Sequence, residues 1–186
     1  MGSTPPTTPG GTLWLSKQEA FVLAFKWVLK AEGAYSNDPE DPGGETVYGI
    51  SQRWLNDVEP TKRVTDLELR EIQELYRQYF WYPAVNLAAL HGDGPKVVLT
   101  LFDIAVNQGF SRAKMWYQIA LGLPKARRQL ALTYERLRHY SRLARARPEM
   151  GRAFLRGWLN RVLDLLDYLD GLGEVEWGAE DETTPV

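Results

Sequence analysis

A mainly α fold of about seven helices with one small β-hairpin is predicted by three features of this 186-residue chain. Apolar residues recur at helical spacing through most of its length, and two such runs open on capping-box residues. One run, Lys96 to Gln108, is apolar on nearly every side, which suits the centre of a core. β-prone residues are confined to Thr46-Val47-Tyr48-Gly49-Ile50, directly after a stretch crowded with turn formers.

The elements follow in order. Residues 1–12 read as a flexible Pro/Thr/Gly leader. Ser16 with Glu19 makes a capping box for a helix over Lys17 to Ala31, with Leu15 placed to staple onto its first turn. Residues 35–44 carry too many Pro, Gly, Asn and Asp to be regular, and the short β-prone run then gives a hairpin or strand pair. Ser51 caps a short helix through Trp54 to Asp57. Thr65 and Glu68 form a second capping box, opening a helix to Tyr82 that Pro83 stops, with residues 84–94 as a loop. Pro95 suits the first position of the apolar helix to Gln108. Ser111 caps a helix through Leu121, and an arginine-rich helix runs from Ala126 to Arg145. Arg147-Pro148 breaks it, and a last helix spans Glu149 to Gly171 with Phe154, Trp158, Leu159, Val162, Leu165, Leu166 and Leu169 as its apolar face. Residues 174–186, rich in acids, are expected to be disordered. This divides the chain into a leader (1–12), one domain (13–173, with halves 13–94 and 95–173) and a tail.

Composition narrows the chemistry. No cysteine is present, which excludes disulfides, thiol catalysis and cysteine metal sites. The two histidines, His91 and His139, are far apart, so no metal or other cofactor is expected. No apolar run is long enough to span a bilayer. The leader lacks the basic and apolar regions of a Sec signal, so export is expected to need outside help. Residues 125–161 hold eleven Lys/Arg against Glu135 and Glu149, a net of +9 in a chain of net charge −2. The basic residues alternate with apolar ones as on an ordinary amphipathic helix, so no specific nucleic-acid partner is expected.

The densest stretch chemically is Ala31 to Ser51, with five carboxylates, two prolines and a Gly-Gly. Phe21, Phe25, Val28 and Glu32 are spaced by four, three and four, so they share a helix face and Glu32 stands at the edge of the buried stripe. Partial desolvation and the negative end of the helix dipole both favour a protonated carboxyl there, the form a glycosidic leaving oxygen needs. An isolated Glu-Gly is ordinarily just a helix end. Here, however, Glu32-Gly-x-Tyr35-x-Asn37-Asp-Pro-x-Asp41-Pro-Gly-Gly-x-Thr46-x-Tyr48-Gly-Ile-Ser51 resembles the signature of glycoside hydrolase family 108, the bacterial and phage N-acetylmuramidases. Ala34 departs from the usual second glycine.

That resemblance implies a lysozyme-like fold, peptidoglycan as partner and Glu32 as the catalytic acid. For the second carboxylate Asp38, Glu40, Asp41 and Glu45 are candidates. Asp41 is favoured because phage-type lysozymes place an aspartate nine residues after the catalytic glutamate, with a threonine shortly beyond, and Thr46 stands one residue early for it. Thr46 would hold a water and Asp41 would act as its base, giving inversion. Tyr35, Asn37 and Tyr48 are implied to bind substrate. Asp103 and Asn107, four apart, either satisfy buried groups or line the cleft. Phe102-Asp-Ile-Ala-Val-Asn-Gln108-Gly resembles the family's second block, which favours the cleft for Asp103, Asn107 and Gln108. Phe154-x-x-Gly157-Trp158-x-Asn160-Arg161 resembles its closing block, whereas an Asp-Gly-x-x-Gly loop common in the family is missing after Leu121. The expected function is therefore a monomeric muramidase, released from the cytoplasm by holin-type pores. Its rivals are a lytic transglycosylase using the same glutamate and a non-catalytic wall-binding or secretion-assisting protein.

Overall fold

The apolar helix anticipated as a spine runs through the middle of the molecule. It is helix α5 (Pro95–Gln108), and Val97 to Ala105 are buried without interruption. The computed structural model describes residues 11–32, 35–36 and 44–178. Before α5 come strand β1 (Leu13–Leu15), α1 (Lys17–Glu32), β2 (Tyr35–Ser36), β3 (Thr46–Val47), β4 (Ile50–Ser51), α2 (Gln52–Val58), a 3-10 turn (Val64–Asp66), α3 (Leu69–Tyr76), a π turn (Arg77–Trp81) and α4 (Tyr82–Ala89). After it come α6 (Phe110–Ala120), α7 (Lys125–Ala146), α8 (Pro148–Gly171) and β5 (Val175–Trp177). Since α3, the π turn and α4 are contiguous, the eight α segments make seven rods, in line with the expected mainly α fold.

Local signals set the helix starts. Ser16 and Glu19 form the capping box of α1: the Glu19 N–H donates to Ser16 Oγ at 3.2 Å and the Ser16 N–H to Glu19 Oε2 at 2.9 Å. Ser51 caps α2 by accepting from the Trp54 N–H. The core around α5 is strongly aromatic. Phe102 meets Phe21, Tyr76 and Trp81 at centroid distances of 6.4, 6.1 and 5.6 Å, within the range where aromatic pairs attract beyond their burial. Among the described residues no helix is long and apolar enough to cross a membrane.

The structure corrects the sequence reading at five places. The hairpin is part of a three-stranded antiparallel sheet in the order β2-β3-β4, because Tyr35 pairs with Val47 and Ser36 with Thr46. The second capping box is Glu68 with Glu71, not Thr65 with Glu68; residues 64–66 wind into a 3-10 turn that buries Val64. Pro83 does not stop its helix. The π turn carries the Tyr82 N–H back to the Arg77 carbonyl, and Pro83 falls in the first turn of α4, where its missing N–H is harmless. Helix α6 starts at Phe110, with Gly109 (φ +85°) capping both the end of α5 and the start of α6, so Ser111 lies inside the helix. Finally, order extends past Gly173. Val175–Trp177 pairs in parallel with Leu13–Leu15, and the Trp177 indole donates to the Asp93 carbonyl at 2.9 Å. Residues 1–10 and 179–186 lie outside the described residues.

Candidate active site

Glu32 is the last residue of α1. Below it Phe21, Phe25 and Val28 are buried, as their spacing requires, and the Glu32 side chain itself keeps 20 % of its surface exposed. The β3–β4 turn closes over it. Tyr48 (φ 46°) and Gly49 (φ 81°) both lie in the left-handed region, the geometry of a two-residue hairpin turn matched to strand twist. Only glycine fits the second position: a Cβ on Gly49 would stand 2.6 Å from Tyr76 Oη and 2.8 Å from Glu32 Cγ. Tyr76 Oη donates to the Tyr48 carbonyl at 2.8 Å, which pins the turn against α3. Burial first, then the charge of Glu32, pushes the Tyr76 phenol well above its usual range, so it remains a donor.

From the other side α8 supplies Arg161. Its Nη1 donates to Glu32 Oε1 at 2.5 Å, and its Nε and Nη2 donate to Asp103 Oδ1 at 3.1 and 2.7 Å. Burial opposes the Arg161 charge, but Asp103 and Glu32 outweigh it and raise its pKa further. Asp103, at mid-α5, is fully buried. Burial alone would push its carboxyl up; the Arg136 and Arg161 guanidiniums prevail and hold it below the ordinary carboxylate range. Arg136 Nη1 donates to Asp103 Oδ2 at 2.5 Å, and the Trp27 indole donates to Oδ1 at 3.1 Å. The network continues outward, where Asn107 Oδ1 accepts from Tyr140 Oη at 2.8 Å and Gln108 contacts both Asn107 and Tyr140.

Residues 25–109 match the sequence model of a family described as glycosyl hydrolase 108. The match takes in Glu32, the whole β3–β4 turn and α5 with Asp103. The fold is similar to that in "Structure of Brucella abortus SagA", with a TM-score of 0.68 and 23 % identity over 83 % of this chain and 96 % of that one. No curated protein matches the chain. The match spans less than half of the chain and is similarity to a glycoside hydrolase family; the mainly helical architecture agrees with the fold expected from the sequence.

The other anticipated residues fall into three groups. Asp41 and Asn37, with Asp38 and Glu40, lie outside the described residues. Thr46, Tyr35 and Tyr48 lie on or beside the three-stranded sheet. Thr46 Oγ1 donates to the Gly44 carbonyl at 3.2 Å, and the exposed Tyr35 donates to Glu45 Oε1 at 3.2 Å. Glu45 also pairs with Arg63 at 3.3 Å, so its carboxylate is tied down rather than facing solvent alone. Asp103, Asn107 and Gln108 do come together, and Asp103 is fully buried with both oxygens occupied.

Arg161, Arg136, Tyr76 and Trp27 were not anticipated as site residues. A signal existed for two of them: Arg161 interrupts the apolar stripe of α8 between Trp158 and Leu165, and Arg136 stands four residues from both Leu132 and Tyr140, each buried. The basic stretch is less available than its count suggests. Arg128, Arg136, Arg138, Arg142 and Arg161 pair with Asp93, Asp103, Glu135 and Glu32. Among the described residues no His, Asp and Glu cluster is arranged to hold a metal ion.

Proposed function

We propose that this protein is a glycoside hydrolase, an N-acetylmuramidase cleaving peptidoglycan between N-acetylmuramic acid and N-acetylglucosamine with Glu32 as proton donor. The reading is carried by the position of Glu32, half-sheltered at the end of α1 between a glycine-dependent turn and a buried guanidinium, within the family-matched region. In the step proposed, Glu32 gives its proton to the glycosidic oxygen as the bond to C1 breaks, and a water adds at C1. Asp41 takes the proton of that water, which Thr46 orients, and inversion follows. Release to the wall through holin-type pores is part of the same reading. Arginines left unpaired on α7 and α8 add a nonspecific attraction to an anionic wall.

The test is to digest purified peptidoglycan and identify the new chain ends. Reducing N-acetylmuramic acid is expected. Anhydromuramic ends would make the enzyme a lytic transglycosylase, reducing N-acetylglucosamine would move the cleaved bond, and no new ends would leave only a wall-binding protein.

A further inference from the structure

Helices α1 and α8 both line a cavity beside Glu32. It lies between Trp27, Lys30 and Ala31 on one wall and Gly157, Asn160, Arg161 and Asp164 on the other, with a volume of ≈ 250 Å³. At about 30 Å³ per water that is room for roughly eight waters, the size class of one sugar ring with its substituent. It adjoins Glu32 on both walls: Ala31 precedes Glu32 in the chain, and Arg161 donates to it.

Gly157 is the informative residue. It lies well inside α8, where glycine is less favourable than alanine. Packing does not require it, because a Cβ there meets nothing within 4 Å. At Gly151 in the same helix a Cβ would strike Ala144 Cβ at 2.9 Å, so that glycine is a packing residue and Gly157 is not. What the missing side chain at Gly157 leaves is open space in the cavity wall.

The lining is suited to a neutral, hydroxylated ring. The Trp27 indole is fixed, its Nε1–H held by Asp103 Oδ1 and its ring stacked on Tyr168 at a centroid distance of 5.2 Å and an interplanar angle of 23°. Lys30, Asn160 and Asp164 make no hydrogen bond or ion pair among the described residues. They offer one ammonium, one amide and one carboxylate, a set of donors and acceptors with balanced charge. A fixed aromatic with a few uncommitted polar groups around a ring-sized space fits a sugar better than an anion or an apolar ligand.

We propose that the α1–α8 groove is a saccharide subsite, taking one N-acetylhexosamine ring of the glycan next to the scissile bond. The proposal rests on the glycan-hydrolase reading above. Its probe is the N-acetylglucosamine tetrasaccharide, titrated into Glu32→Gln protein while the Trp27 indole N–H is followed by NMR. A saturable shift of that resonance is expected. Gly157→Phe, which fills the groove, is expected to weaken the tetrasaccharide by about tenfold or more, as for loss of a buried contact at the centre of an interface. Asn160→Ala provides a second variant that leaves the helix backbone alone, with the same direction of change.

Tetrasaccharide binding that leaves Trp27 unmoved and is indifferent to both variants would overturn the subsite, as would no binding at all. A parallel digestion of peptidoglycan separates the two ideas. If wild-type protein releases sugar ends and Gly157→Phe does so with unchanged KM, the subsite is wrong and the hydrolase reading stands. If wild-type protein releases none, the hydrolase reading itself has failed.

Discussion

Arg161 joins Glu32 to Asp103, donating to the first at 2.5 Å and to the second at 2.7 and 3.1 Å. One side chain from α8 thus ties the end of α1 to the middle of α5. The glutamate is oriented by a guanidinium that is itself locked by a fully buried carboxylate, so Asp103 positions Glu32 without touching it.

Arg161→Lys should separate geometry from charge. Lysine keeps the positive charge but has no planar fork to reach both carboxylates at once. The expected result is a fall in kcat of about 10–10²-fold, the scale of a misplaced catalytic group, with KM little changed. Equal kcat would mean that Arg161 is structural only.

Glu32→Gln keeps an amide oxygen that can still accept from Arg161, so the thermal midpoint should hardly move. Turnover should drop by about 10²–10⁴-fold through loss of the proton donor. A variant retaining more than roughly a tenth of wild-type rate, well short of that loss, would remove Glu32 from the mechanism.

Gly49→Ala should damage both fold and activity. Its Cβ would meet Tyr76 Oη and Glu32 Cγ inside 3 Å at a φ of +81°. A cost of roughly 1–3 kcal/mol is expected from urea denaturation, together with a lower kcat because Glu32 must shift. Tyr48→Gly, which relaxes the neighbouring left-handed residue, serves as the control and should leave stability nearly intact.

What could be read in the chain beforehand was whatever local chemistry decides. Ser16/Glu19 and Ser51 act over three residues, and α5 needs only its own apolar surroundings to be placed at the centre. Misreadings came where a rule met context. Pro83 breaks helix interiors, yet a π turn just before it moves it into a first turn, and that depends on packing. Val175-Glu176-Trp177 alternates as a strand should, but its partner β1 is far away in sequence and the acidic surroundings hid it. Arg161 and Asp103 are 58 residues apart, so each was visible as an oddity in an apolar stripe while their pairing was not.

Asp41→Asn and Thr46→Ala test the proposed water-activating pair. Each should lower kcat more than it raises KM, as expected of groups that act in the transition state. Unchanged kcat in both would transfer that role to another carboxylate of the loop or dispense with it.

Asp103→Asn addresses the buried charge behind the site. The Asp103 carboxyl is held below its ordinary range in the folded protein, because Arg136 and Arg161 outweigh its burial. A depressed folded pKa means that the group stabilises the fold above its unfolded value, about 3.9, and that this contribution is lost as pH falls through the lower folded value. At neutral pH the asparagine variant should lose about 3–5 kcal/mol, since two buried guanidiniums lose their shared counter-charge. Below about pH 4 the carboxyl protonates first in the unfolded chain while the folded one stays charged, so the wild type loses this stabilisation and the gap between the two proteins should narrow. Urea denaturation of both at pH 7 and near pH 3 reads this directly; a gap of equal size at the two pH values would show that Asp103 does not act through its charge.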